Sequence, residues 1–427
     1  MSASSSRRVS RRGFLRGAGV AAGGAWLASC APTGGSSSAP PAKTASGGAA
    51  PTAAPAAAAA KPAGGSPIKI GLLQPYSGVY AALGESTTNA VQMYLDSVGN
   101  SAGGRAITII KEDEGSAPDE ALRKARKLVE QDQVDIVAGP VSSANALAIR
   151  DLFHDTKNLL IVTTAGANDI TRARKSPYIF RASYGNFQVH YPMGQYLYNK
   201  VGHRFMLTAA DYAAGREVAA AFKQGFQEAG GELVGEIYPP FPNTDYAAYL
   251  TQIAQARPDA TFSFYAGSDA VNFVKQYAEF GLSRDVKLTG SGFMLEQDTL
   301  PAQGQAALGG ITALHWALTL DTPENKAFVD AYRQKFNKDP DVYAVHGYDT
   351  ARIIVEALNQ TQGDASNKDR LIEAIAGVKF TSPRGSFEFD PETHNVVHSV
   401  YVREVRDVGG KLTNVVLDTF PPQRDRG

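Results

Sequence analysis

From residue 68 onward, short apolar runs alternate with longer amphipathic stretches, and this alternation is the strongest constraint on what the chain can fold into. The run 68–73 reads as a buried strand that ends in a Pro/Ser/Gly loop over 74–78. A helix is predicted over 86–98, where Ala90, Val91, Tyr94 and Leu95 recur at helical spacing. The same reading gives strands at 106–110, 134–138 and 159–163, with helices over 119–131 and 143–153 between them. Strands apolar on both faces need helices on both sides, which implies a parallel, doubly wound α/β sheet. The pattern then restarts, with strands predicted at 204–209, 232–237, 260–266 and 286–289 and a helix over 215–229. Near the end, 397–405 and 412–417 alternate about Gly409-Gly410 and predict a hairpin. Two such sheets invite a cleft between two lobes. Ligands of open α/β sheets sit beyond the carboxyl ends of the strands, so the residues just after each strand are the candidates.

The segment before residue 67 has another texture. Residues 31–66 are almost entirely Ala, Gly, Ser, Pro and Thr and cannot bury a core. As a flexible coil they would span roughly 30–36 Å, which makes a tether. Upstream, Ser10-Arg11-Arg12-Gly13-Phe14-Leu15-Arg16 resembles the twin-arginine export signal, with Arg11 and Arg12 as its pair. The mild apolar run 17–27 ends in Leu27-Ala28-Ser29-Cys30, which resembles a lipobox. That resemblance makes 1–30 a signal peptide and Cys30 the acylated first residue of the mature chain. A loose Gly17-x-Gly19-x-x-Ala22 fingerprint in this stretch lacks a preceding strand and carries no cofactor expectation.

Several function classes fall away. The formal net charge is zero, and five arginines lie before residue 30, leaving a net of −5 for the remainder. Without a basic stripe nucleic-acid binding is not expected. Cys30 is the only cysteine, so there is neither a disulfide framework nor a cysteine metal site. No run of 18 apolar residues spans a bilayer. Phosphate loops, zinc-protease helices and nucleophile elbows are missing. The seven histidines (154, 190, 203, 315, 346, 394, 398) are scattered and read as surface residues, with no metal pair among them. A hydrolytic enzyme is the weakest reading.

The loops after the strands resemble the leucine/isoleucine/valine-binding family of type I solute-binding proteins. The carriers are Ile70-Gly71 with Ser77-Gly78, Ala138-Gly139-Pro140 with Ser142-Ser143, and Asp211-Tyr212 with Gly215. Gln276 with Gly281-Leu282, Gly347-Tyr348-Asp349, and Arg384-Gly385 with Phe389-Asp390 complete the set. The resemblance implies two lobes joined by crossing strands around a ligand cleft, with lobe 1 at 67–185 and 293–396 and lobe 2 at 186–292 and 397–427. It further implies an exported monomer that delivers a small-molecule solute to ABC permease subunits, held by a lipid anchor at the outer face of the cytoplasmic membrane or in the periplasm. A ligand-sensing module of a signalling system is the alternative.

The same resemblance supplies candidate ligand contacts. Ser142 and Ser143 open a helix after a strand, a natural site for a carboxylate, and either could equally be a helix cap. Thr164, Ala165 and Gly166 follow the next strand. Gly166 stands where amino-acid binders carry a threonine, and Leu83 where branched-chain binders carry an aromatic residue, so the pocket differs from theirs. Tyr76 and Tyr80 flank the first loop. From lobe 2, Tyr212 and Tyr265 offer rings and hydroxyls, and Phe293 follows Gly290-Ser291-Gly292 near a lobe crossing. Asp269 aligns with the acid that meets a ligand ammonium, but it also begins a helix, where a carboxylate favours the dipole. Engagement of Asp269 would favour an amino acid or amide; Asp269 as a mere cap would favour an aromatic or aliphatic carboxylate.

Overall fold

A computed structural model of the protein describes residues 65–426. Arg11, Arg12, Cys30 and nearly all of the expected tether lie outside the described residues.

The first sheet contains β1 (Ile68–Gln74), β2 (Ser101–Ala102), β3 (Arg105–Asp113), β4 (Ile136–Ala138), β5 (Leu159–Val162) and β6 (Ile179–Arg181), in the order β2-β3-β1-β4-β5-β6. All neighbours run parallel except β2 with β3. Strand β1 shows why the sheet is covered on both sides. Ile68, Ile70 and Leu72 pack with Val91, Leu95 and Ile354, while Leu73 packs with Leu128, Ile149 and Phe153 on the other face. These layers include α1 (Ala81–Ser97), α2 (Pro118–Arg126) with the turn that continues it over Lys127–Gln131, and α3 (Ser143–Thr156), while Ile354 comes from a later helix.

Helix α4 (Asn186–Lys200) leads into the second sheet: β7 (Arg204–Ala209), α5 (Ala213–Glu228), β8 (Glu232–Ile237), α6 (Ala247–Ala256), β9 (Ala260–Phe264), α7 (Gly267–Glu279), β10 (Lys287–Ser291), α8 (Leu300–Gln303) and β11 (Ile311–Leu314). The chain then returns through α9 (Pro323–Phe336), α10 (Val342–Gln360) and α11 (Lys368–Ala376) to β12 (Lys379–Ser382), β13 (Gly385–Phe389), β14 (Val396–Val408) and β15 (Lys411–Gln423). The second sheet runs β12-β13-β14-β11-β10-β9-β7-β8, with β15 paired to β14. The fold is α/β, two wound lobes joined by crossing segments, as the alternation predicted.

One expected boundary moves. β11 is parallel to β10 and antiparallel to β14, so the chain stays with the second sheet well past residue 293. Helix α10 belongs to the first lobe and lies directly on α1: a Cβ on Gly347 would stand 2.1 Å from the Thr87 carbonyl oxygen. The short apolar run of β11 gave no sign of which sheet it would join.

Three buried arginines pin the crossings. Arg384 pairs with Asp349 at 2.9 Å and donates to the carbonyls of Ser183 and Ala182 at 2.6 and 2.5 Å. Arg403 pairs with Glu296 at 2.8 Å and donates to Trp316 O and Gly292 O at 2.8 and 3.0 Å. Arg181 binds Asp425 at 3.0 Å and Asn395 Oδ1 at 2.6 Å. The motifs Gly347-Tyr348-Asp349 and Arg384-Gly385 thus supply the ion pair behind the first crossing.

Candidate functional site

The strand-end loops of the two sheets face each other, and their side chains meet across the cleft. Tyr80, from the loop before α1, donates its hydroxyl to Tyr212 OH of the opposite lobe at 2.9 Å. Both rings stack on Phe241, at 5.6 and 4.6 Å between centroids. A second bridge runs from Asn168 N and Asn186 Nδ2 to Glu217 Oε2, at 2.8 and 2.9 Å.

Behind the Tyr80–Tyr212 contact lies a small cavity of about 20 Å³, room for about one water molecule. The first lobe lines it with Tyr80, Leu83, Val141, Thr164 and Tyr343; Tyr212, Phe264, Ala266 and Phe293 close it from the second, and Tyr184 from the first crossing. No charged side chain is among them. Tyr184 packs on Phe293 with centroids 5.0 Å apart and stacks on His315 at 5.1 Å. An outer groove, lined by Ser77, Tyr80, Ser142, Phe241 and Pro242 among others, leads up to the tyrosine contact.

Four of the expected contacts, Tyr80, Thr164, Tyr212 and Phe293, line this cavity. The others are placed elsewhere. Tyr76 turns to α1, with its hydroxyl 2.8 Å from Thr88 Oγ1. Ser142 caps α3 by accepting from Asn145 N at 3.4 Å, and Ser143 is buried in the first turn. The anion site expected there is already filled by the protein: Val141 N and Ser142 N donate to the two oxygens of Glu114 at 2.7 and 3.0 Å. Burial pushes the Glu114 carboxyl up to about 7.

Ala165 and Gly166 lie behind the cavity wall, where Gly166 O accepts from Asn186 N at 2.8 Å. A Cβ on Gly166 would stand 2.3 Å from Asn186 Oδ1 and 2.7 Å from the Tyr184 ring. Glycine is required here because Tyr184 occupies the space that a larger side chain would need. Tyr265 points to the opposite face of the sheet from Phe264, as strand alternation demands. Its hydroxyl bonds Thr208 Oγ1 at 2.6 Å, among Tyr246 and Phe273. Asp269 is also buried and is not among the residues that line the cavity. It accepts from Asn243 N at 3.1 Å and Tyr246 OH at 3.4 Å, and burial pushes it up to about 6.

The histidine expectation is corrected as well. His190, His315, His346 and His398 are fully buried, and three of them meet where the lobes join. His315 Nε2 is 2.6 Å from His346 Nε2, His346 Nδ1 is 3.1 Å from Thr164 Oγ1, and the His398 ring lies 5.0 Å from that of His315. Their nitrogens do not converge, because His398 Nε2 faces Gln188 Oε1 at 3.0 Å. Among the described residues no group of three or more His, Cys, Asp or Glu side chains is arranged to hold a metal, and no helix is long and apolar enough to cross a membrane.

Glu114 directly follows β3, so the strand-end rule could have found it. The three-residue β6 ahead of Tyr184 is too short to see in the sequence. Tyr343 and the histidines gave no signal.

Known proteins share this architecture. A family model described as periplasmic binding protein matches residues 67–411. A Leu/Ile/Val-binding protein homolog 6 from Brucella melitensis is 29% identical over 84% of this chain and 93% of that protein. A solute binding protein of an ABC transporter from Rhodopseudomonas palustris BisB5, solved in complex with 3,4-dihydroxybenzoic acid, is 37% identical. It covers 84% of this chain and 98% of that chain, with a TM-score of 0.80. Another solute binding protein, from R. palustris and solved with benzoate, is 35% identical with the same coverage and TM-score.

Proposed function

Because the chain belongs to the periplasmic binding protein family, we propose that it captures an aromatic carboxylate between its lobes and delivers it to an ABC permease. The observation that carries this reading is the lining of the interlobe cavity, Tyr80, Tyr184, Tyr212, Phe264, Phe293 and Tyr343 with no acid to meet an ammonium group; parting of the lobes makes room for the ligand. Asp269, the residue that would serve an amino acid, is engaged by Asn243 and Tyr246 instead. Flat rings suit an aryl ligand, and the hydroxyls of Thr164, Tyr80 and Tyr212 suit its polar ends. The benzoate and dihydroxybenzoate bound by the two R. palustris proteins support the same class. Ligand contact with both lobes favours the closed state, which docks on the permease. Export through the Arg11-Arg12 leader and anchoring at Cys30 belong to this reading, since capture must happen outside the cytoplasmic membrane.

Thermal denaturation of the full chain, stripped of ligand by unfolding and refolding, tests it. A ligand at 100 times its Kd adds about 2.7 kcal/mol of stability. Benzoate or 3,4-dihydroxybenzoate should raise the Tm while leucine and valine leave it unchanged. Stabilisation by leucine or valine alone would overturn the aromatic reading in favour of an amino-acid carrier.

A further inference from the structure

The cavity wall contains no lysine, arginine or histidine. A carboxylate sealed into it meets hydroxyl donors but no counter-charge, an arrangement that is costly for a buried ion. The groups able to supply one stand directly behind Thr164. His346 reaches Thr164 Oγ1 through Nδ1 and His315 through Nε2, at 3.1 and 2.6 Å, and both imidazoles are fully buried.

The proton positions follow from one orphan. His315 Nδ1 has no hydrogen-bond partner. A buried N–H without an acceptor is rarer than an idle lone pair, so the His315 hydrogen sits on Nε2 and donates to His346 Nε2. His346 then carries its own hydrogen on Nδ1 and donates to Thr164 Oγ1. The threonine O–H is thereby left free to donate into the cavity.

Other charged and titratable groups around the pair are accounted for. Helix α10 brings Asp349 and Tyr343, and the turn before β13 brings Arg384. Strand β14 brings His398 and Arg403, and the first crossing brings Tyr184. The two carboxylates nearest these arginines are committed, Asp349 to Arg384 and Glu296 to Arg403. Burial holds both imidazoles well below their usual range, and His398 and the arginines add to it. An anion against Thr164 acts in the opposite direction.

We propose that the His315–His346 pair takes up one proton from solvent when a carboxylate is enclosed, so that the ligand is held as an ion pair through Thr164. This rests on the carboxylate reading given above. The proton enters at Nδ1 of His315, the one idle lone pair of the couple, without breaking an existing hydrogen bond; the N–H so formed has no protein acceptor, a cost that the new ion pair offsets. Moving the shared hydrogen from His315 Nε2 to His346 Nε2 then places the charge one hydrogen bond from Thr164. His315 and His346 are positioning residues that make an apolar cavity selective for acids.

Titration calorimetry of the full chain with benzoate, in buffers of different ionisation enthalpy near pH 7.5, counts the protons. Close to one proton per benzoate is expected, with Kd rising about tenfold per pH unit on the alkaline side, while benzamide takes up none. In His346→Gln and His315→Gln the uptake should vanish. Tight benzoate binding without uptake would overturn the inference and leave the carboxylate reading standing. Failure of benzoate and 3,4-dihydroxybenzoate to bind at any pH would overturn that reading, and this inference with it. Uptake that survives in both histidine variants, or is lost only in Glu114→Gln, assigns the proton to the ligand or to Glu114 and also refutes it. Should either variant fail to fold, nitrogen-15 shifts of the wild-type imidazoles decide the question: they move to the imidazolium range on adding benzoate, or the inference fails.

Discussion

Gly166→Thr introduces the side chain that the resemblance to amino-acid binders implied for this position, and the structure says what it meets. The added Cβ would stand 2.3 Å from Asn186 Oδ1 and 2.7 Å from Cε2 and Cζ of Tyr184. Ordinary contacts between such atoms are about 3.5–4.0 Å, so the ring must move by about 1 Å. It has nowhere to go, being packed on Phe293 and His315 with Asn186 tied to Glu217. Overpacking of this kind costs about 1–3 kcal/mol, which at about 2 °C per kcal/mol lowers the Tm by roughly 2–6 °C. Differential scanning calorimetry measures it. Tyr184→Ala removes the obstruction, so the double variant should lose less than the sum of the singles by about 1 kcal/mol or more. Additive losses, or a Gly166→Thr protein that melts with the parent and binds leucine, would refute the claim that Tyr184 fills the space a threonine would need.

Two further outcomes are expected. Asp349→Ala leaves Arg384 charged and buried without its partner, so urea denaturation should show a loss of about 3–5 kcal/mol, smaller when Arg384→Met is combined with it. Tyr265→Phe removes the bond to Thr208 and costs about 1 kcal/mol of stability without changing benzoate affinity, whereas Tyr212→Phe removes a cavity hydroxyl and weakens benzoate about tenfold, for a lost term of about 1.4 kcal/mol; equal effects on binding would contradict the opposite facing of the two rings.

The wound sheets were legible because both-face burial leaves a local signature, visible in β1, β7 and β9, and the terminal hairpin because Gly409-Gly410 sits between alternating runs. Four of the ten wall residues were legible for a related reason, since Tyr80, Thr164, Tyr212 and Phe293 follow strands. Tyr265 misled because a strand end does not reveal which of two successive aromatics faces the cleft; that depends on the pleat, and Phe264 won. Ser142 misled because an anion site can be satisfied from within, here by Glu114, a residue 28 positions upstream that only the sheet brings near. The imidazole pair was invisible, for His315 and His346 lie on separate segments that meet only at the junction of the lobes.

Strand β14 bears on how the protein is made. Val396 and Val397 pair with β13, Tyr401 to Glu404 pair with β11, and Asn395 just before it bridges to Arg181 at the far edge of the first sheet. A ribosome delivers this strand after every other strand of the two sheets except β15. Until it emerges, β11 has an open edge, His315 lacks the neighbouring His398, and neither lobe is closed off by its final partner. Folding therefore cannot finish lobe by lobe during synthesis, as is usual for chains built of consecutive domains. A nascent chain stalled before Val396 exposes an unpaired apolar edge on β11 of the kind that seeds aggregation, so the interval before β14 emerges is when the chain is most open to wrong pairing.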